Sequence, residues 1–133
     1  MEAEGVLNLS GVWLGRYGYP RGRPPVSFTA KLTETDTWLV GSTEEKASVG
    51  KARGRTIGAT LQGRRTGRSV TFLKLYDVFD GAHDSVHYLG EVASDGSEIH
   101  GRWTISERWS GPFVMVRSGR NVETLTRVTA EQV

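Results

Sequence analysis

Between Gly11 and Arg117 the apolar side chains recur at every second position, in short runs closed off by turn residues. A period of two is that of a strand with one wet face and one dry face, and it excludes an amphipathic helix over the same stretch. Eight such runs are readable, near residues 11–17, 26–34, 37–45, 56–65, 69–76, 85–94, 98–107 and 111–117. A meander of eight strands carries two unpaired edges unless it closes, and closure is the usual remedy at this strand number. The predicted fold is therefore all-β: an eight-stranded antiparallel up-and-down β-barrel. The 133 residues suit one domain, and no repeat or linker divides them. Strands fill about 11–117, followed by a polar tail over 118–133. In that tail Val122, Leu125 and Val128 are spaced as one helical face, which would pack on the barrel, reach a partner subunit or fray.

The turns suggest the register. Thr66-Gly67, Asp95-Gly96 and Thr35-Asp36 are short loops holding a residue that tolerates positive φ. Taken as hairpin centres they set Leu61 opposite Phe72, Ala59 opposite Lys74, Ile57 opposite Tyr76, Val92 opposite Ile99, Tyr88 opposite Trp103, Leu32 opposite Leu39 and Ala30 opposite Gly41. These tight turns fall at one end of the barrel. The connections over 18–25, 46–55, 77–84 and 108–110 fall at the other, which should be the functional mouth, because binding residues concentrate on loops held by a rigid scaffold.

The inward positions then include Trp13, Phe28, Leu39, Ile57, Phe72, Ile99, Phe113 and Met115, an ordinary core. They also include the polar ends of Tyr17, Thr43, Glu45, Lys74, Tyr76 and Tyr88, beside the small residues Gly15, Gly41, Ala59, Gly90 and Gly101. Small residues next to aromatics either accommodate barrel taper or leave a cavity. An ammonium at Lys74 is costly in the interior without a partner, and Glu45 is the candidate, with Tyr76 and Tyr88 as hydrogen-bonding neighbours. Three readings stay open: a satisfied internal ion pair or hydrated pocket, a receptor for a ligand's anionic group, or a catalytic lysine. The expected ligand-binding set is Tyr17, Thr43, Glu45, Lys74, Tyr76, Tyr88 and Trp103. Trp109 would join it from a mouth loop, where Arg21 and Arg23 are placed to attract anions.

Several function classes are disfavoured. The chain has no cysteine, so disulfides, thiolate metal sites and cysteine nucleophiles are absent. The net charge is only +2, and Arg53 and Arg55 fall at the opposite end of the barrel from Arg64, Arg65 and Arg68, so no basic stripe follows a phosphate backbone and no nucleic acid is expected. No apolar run approaches the ~20 residues of a membrane helix. Acids in Met1-Glu2-Ala3-Glu4-Gly5, where a signal would be basic, suggest a cytoplasmic location. Asp77, Asp80, His83 and Asp84 lack calcium-loop spacing, and His87 and His100 face outward, His100 opposite Glu91, so neither a metal nor a cofactor is expected. No Ser-His-Asp order, HExxH, P-loop or dinucleotide fingerprint occurs in a fitting context. Leu73, Leu75, Leu89, Val114 and Val116 turn apolar side chains outward and suggest a homodimer or homotetramer.

Gly11-Val12-Trp13 at the first strand and Arg117 at the last resemble the GxW and terminal arginine of the calycin superfamily, which includes lipocalins and avidins. The resemblance implies that Trp13 and Arg117 stack across the closed end as a structural closure. Within the superfamily the chain is most similar to the avidin and streptavidin type, through Gly41-Ser42-Thr43-Glu44 and residues 99–103 as well. It departs at the biotin site: avidins place a polar residue shortly after the first tryptophan and enclose biotin with several indoles, whereas Leu14-Gly15 and Phe72-Leu73-Lys74 stand here. The expected function is a small-molecule-binding barrel whose organic ligand, possibly anionic, is unidentified. The alternatives are an enzyme using the Lys/Tyr/Glu cluster for acid–base chemistry, and a structural oligomerisation module.

Overall fold

The computed structural model describes residues 8–48, 53–77, 85–106 and 109–118. Eight strands follow one another: β1 (Gly11–Tyr17), β2 (Val26–Thr35), β3 (Trp38–Lys46), β4 (Thr56–Thr66), β5 (Ser69–Tyr76), β6 (Val86–Val92), β7 (Glu98–Ser106) and β8 (Trp109–Arg117). Each pairs antiparallel with its sequence neighbours, and β1 closes on β8 from Trp13 opposite Arg117 to Tyr17 opposite Phe113. Closure gives every strand two partners, so no edge is left to template aggregation. No helix among the described residues is long and apolar enough to cross a membrane. The polar tail from 119 onward lies outside the described residues.

Two hairpin registers differ from the sequence expectation. In β2–β3 Thr35 pairs with Trp38, and Leu32 faces Gly41 rather than Leu39, while Ala30 faces Thr43. In β4–β5 Thr66 pairs with Ser69, Leu61 faces Lys74 and Ala59 faces Tyr76. The cause is the same in both. The residue with positive φ, Asp36 at 57° and Gly67 at 60°, opens the two-residue loop instead of closing it, which moves the pairing by two residues. A two-residue shift leaves every side chain on its own face, so the predicted inward set survives the correction. The β6–β7 register is as expected, with Tyr88 opposite Trp103 and Val92 opposite Ile99.

Small and large inward residues interlock. A Cβ at Gly15 would lie 2.1 Å from the Phe28 ring, and one at Gly90 would lie 2.8 Å from the Phe113 ring, so these aromatics occupy the volume the glycines vacate. Among the described residues, the luminal void between Phe28, Leu61, Phe72 and Met115 is about 10 Å³, the size of one water molecule at most. The alternation of glycines and aromatics thus fills the barrel.

At the tight-turn end the Arg117 guanidinium lies 4.7 Å from the Trp13 ring centroid. It also donates to the carbonyls of Gly96 and Ser10 at 3.1 and 3.0 Å and to that of Asn8. Trp13 Nε1 donates to the Leu9 carbonyl at 2.9 Å. Arg65, grouped by sequence with Arg64 and Arg68 at one end, is buried at this end: its Nη1 meets Glu34 Oε1 at 2.7 Å, and Glu34 also accepts from the Leu9 amide.

The outer wall needs one correction. Val114 and Val116 are not exposed; they are buried with Leu14 in a separate small cluster on the outer face. Adjacent outward positions on the closing pair β1–β8, Leu14 opposite Val116, bring the three together. Leu75 and Leu89 are exposed and Leu73 is half-buried. His100 faces Glu91 as expected, and its Nδ1 comes within 3.5 Å of Glu98.

Gly101 is a position that admits no side chain for backbone reasons. Its partner across the ladder is Gly90, and an added Cβ would lie 2.0 Å from the Leu89 carbonyl oxygen and 2.6 Å from Gly90 Cα. Backbone atoms cannot step aside as a side-chain tip can. Gly101→Ala is expected to cost about 1–3 kcal/mol, read as a lower urea midpoint, whereas Gly54→Ala, with open space around it but a positive φ of 86°, should cost only about 1 kcal/mol through backbone strain.

Candidate functional site

Three strands that are not ladder neighbours deliver the central cluster. Tyr17 ends β1, Glu45 lies one residue before the end of β3, and Lys74 and Tyr76 close β5. All point into the lumen at the mouth end, because these strand ends face the long connections. Both carboxylate oxygens of Glu45 are used. Oε1 accepts from Lys74 Nζ at 2.7 Å, and Oε2 accepts from the hydroxyls of Tyr17 at 2.6 Å and Tyr76 at 3.1 Å. The two phenol oxygens are 3.4 Å apart, and Tyr88 Oη sits at 3.5 Å from Lys74 Nζ.

The ammonium is also caged by ring faces, with centroids of Tyr76 at 4.7 Å, Tyr17 and Phe28 at 5.1 Å and Tyr88 at 5.7 Å. Lys74 is only 1% exposed. Desolvation and ring quadrupoles act in opposite directions on such a cation, and the rings recover part of the lost hydration.

The titration directions follow from the same geometry. Burial opposes the charged form of Lys74, but the adjacent Glu45 carboxylate outweighs it and holds the lysine above its ordinary value. Burial pushes the phenols of Tyr17 and Tyr88 well up, with the Glu45 charge adding to it. Tyr76 is raised by burial as well, against the pull of Lys74. The cluster thus holds one ammonium and three protonated phenols around Glu45. A neutral amine, which nucleophilic chemistry requires, is disfavoured here, and the phenols that would serve as bases are held as acids.

The other predicted site residues fall around this core. Thr43 is buried beside the small luminal void, and its Oγ1 has no hydrogen-bond partner and does not join the Glu45 network. Trp103 is buried above the cluster, with its Nε1 donating to the Gly18 carbonyl at 2.7 Å. Trp109, expected on a loop, opens β8 opposite Ser106; its ring remains at the mouth. There Tyr17, Tyr19, Trp103 and Trp109 form one layer, with neighbouring centroids 5.7–6.3 Å apart, edge-to-face except for the Tyr19–Trp109 pair, which is tilted at 37°. This layer caps the lumen. Of the loop that holds Asp80, His83 and Asp84, only Asp77 is among the described residues, and its backbone N–H donates to Gly58.

Beside the aromatic cap the mouth loops enclose a recess of about 670 Å³, lined by Tyr19, Arg23, Pro24, Pro25, Lys46 and Arg53, among others. The Arg23 guanidinium lies over the Tyr19 ring at 5.4 Å and the Trp109 ring at 5.6 Å. Arg21 is exposed, adopts φ 66° and does not line it. Sequence reasoning missed Tyr19, Lys46 and Arg53. Tyr19 could have been found from its place two residues after inward Tyr17, just before Pro20; Lys46 and Arg53 carry no such signal, because loop folding alone brings them together. Comparison of the chain with known protein families, curated proteins and solved structures finds no match.

Removing one partner of the buried pair leaves the other charge stranded. Lys74→Met is expected to destabilise by about 3–5 kcal/mol, with Lys74→Met/Glu45→Leu recovering most of that loss; a double-mutant cycle in urea measures the coupling. Because Lys74, Tyr17, Tyr76 and Tyr88 are all raised on folding, their stabilisation is complete below the ordinary tyrosine value of 10.0 and lysine value of 10.5. Stability should hold from neutral pH to those values and fall as pH rises beyond them. Tyr17→Phe should make the alkaline fall shallower.

Proposed function

We propose that this barrel is a binding protein that takes a small, partly apolar organic molecule at its mouth, in the recess beside the aromatic cap. The carrying observation is the contrast in volume: about 670 Å³ between the mouth loops against about 10 Å³ in the lumen. Small-molecule sites are concave, mostly apolar and roughly 300–1,000 Å³. The recess lies in that range. In this reading Tyr19 and the Pro24-Pro25 wall supply the contact surface, Trp109 backs it through the Arg23 it carries, and Glu45, Lys74, Tyr17, Tyr76 and Tyr88 form a floor that does not touch the ligand. The calycin resemblance supports a binding role at the open end without naming a ligand.

A filled lumen and the exposed Leu89, 64% accessible, favour a second reading, a structural module that works through its outer wall. Sedimentation equilibrium separates it, since a dimer abolished by Leu89→Glu would support the wall as the working surface.

The first reading is tested by titrating the labelled protein with planar aromatic fragments and following backbone amide shifts by NMR. Saturable shifts are expected around Tyr19, Val26, Ala47 and Gly54. Shifts confined to Thr43, Leu61 and Phe72, or none with any fragment, would overturn it.

A further inference from the structure

Three cationic side chains, Arg23, Lys46 and Arg53, line the recess, and no Asp or Glu is among its described lining residues. The whole chain carries 17 Lys and Arg against 15 Asp and Glu, so this local imbalance is not a reflection of global charge. The lining is otherwise largely apolar, with Tyr19, Pro24, Pro25, Val26 and Ala47. We infer that the recess selects organic anions, molecules with a flat hydrocarbon or aromatic body and one carboxylate or phosphate, an inference that rests on the mouth-binding reading above.

The acids nearest in sequence do not oppose it. Glu44 sits on the exposed outer face of β3. Glu45 lies beneath the mouth, but Lys74 neutralises it at 2.7 Å and two phenols saturate it. The buried ion pair therefore neutralises the carboxylate beneath the mouth, and among the recess's described lining residues the charged groups are Arg23, Lys46 and Arg53.

Arg23 is held over two ring faces, which restrains a planar fork whose N–H groups match carboxylate and phosphate geometry. Lys46 and Arg53 are exposed, so they pay no desolvation cost in the empty recess. An apolar ligand body that displaces water beside them strengthens each contact at the moment of binding.

The test compares two probes with one arylaminonaphthalene skeleton, the anionic 1-anilinonaphthalene-8-sulfonate and the neutral N-phenyl-1-naphthylamine. The anion is expected to bind about tenfold more tightly at low ionic strength, by the measure of charge-assisted contacts. That gap should shrink in about 0.5 M NaCl, where the screening length falls to a few ångströms. Lys46→Ala/Arg53→Ala should close it, with near-UV circular dichroism showing an intact barrel. Benzoate and phenyl phosphate should displace the anionic probe, and their order ranks carboxylate against phosphate.

Equal affinity for both probes, insensitive to salt and to the double variant, would overturn anion selection while leaving mouth binding intact. Displacement by neither competitor would overturn it as well. Ser48→Trp fills the recess from an exposed lining position, so binding of both probes that survives this change, or no binding at all, would remove the mouth reading with it.

Discussion

Everything at the open end of this barrel depends on one carboxylate. Glu45 takes three hydrogen bonds from two other strands, Lys74 and Tyr76 on β5 and Tyr17 on β1. Ladder bonds join only neighbours, so β1, β3 and β5 have no direct backbone tie. The cluster supplies that tie across the lumen. It does so at a cost, because each ion surrenders its hydration; the balance becomes favourable only when every lone pair and most of the proton donors find partners. Here both oxygens are occupied and four ring faces surround the ammonium, which explains how a lysine can sit in the interior of a barrel with no bulk water beside it.

The closed end solves a similar problem with different residues. Glu34 and Arg65 form a second buried pair, and Glu34 also holds the amide of Leu9. Arg117 spreads its donors over three carbonyls while lying on Trp13. The segment Asn8 to Ser10 is thereby drawn across the barrel's end, and Leu9 is fully buried there. Both ends are fixed by charge-assisted bonds, with the interlocked aromatics and glycines between them. An open lumen is incompatible with that arrangement: any molecule entering must displace Phe28 or Phe113 from the space that Gly15 and Gly90 leave.

The period-two pattern made the strand number, the closure and the inward faces legible, because each is a consequence of alternation alone. The pairing of Lys74 with Glu45 was legible for the same reason, as two inward charges on one barrel end must meet or be hydrated. Register was less so. A loop of two residues can be centred one position either way without altering the faces, and only the positive φ of Asp36 and Gly67 decides it. The burial of Arg65 was not legible from its exposed neighbours Arg64 and Arg68, because it depends on a distant acid, Glu34, 31 residues away. The recess was invisible, since it is assembled from the 18–25 loop, the end of β3 and Arg53 by backbone geometry that no local signal encodes. Thr43 was placed inward from its face alone, and it is buried there with its Oγ1 outside the Glu45 network.

Filling the lumen changes what such a barrel can offer. A hollow barrel binds with its walls, and its selectivity is written in inward residues. A solid one has only its rim, where side chains come from loops that vary in length and composition without disturbing the strands. Here the floor under that rim is electrically balanced: the Tyr17–Tyr19–Trp103–Trp109 layer lies between the rim and the Glu45–Lys74 pair. The pair's field is that of a short dipole and falls off faster with distance than that of an isolated charge. Among the described residues of the recess the charges are those of Arg23, Lys46 and Arg53, and the interior pair ties together the strand ends beneath them.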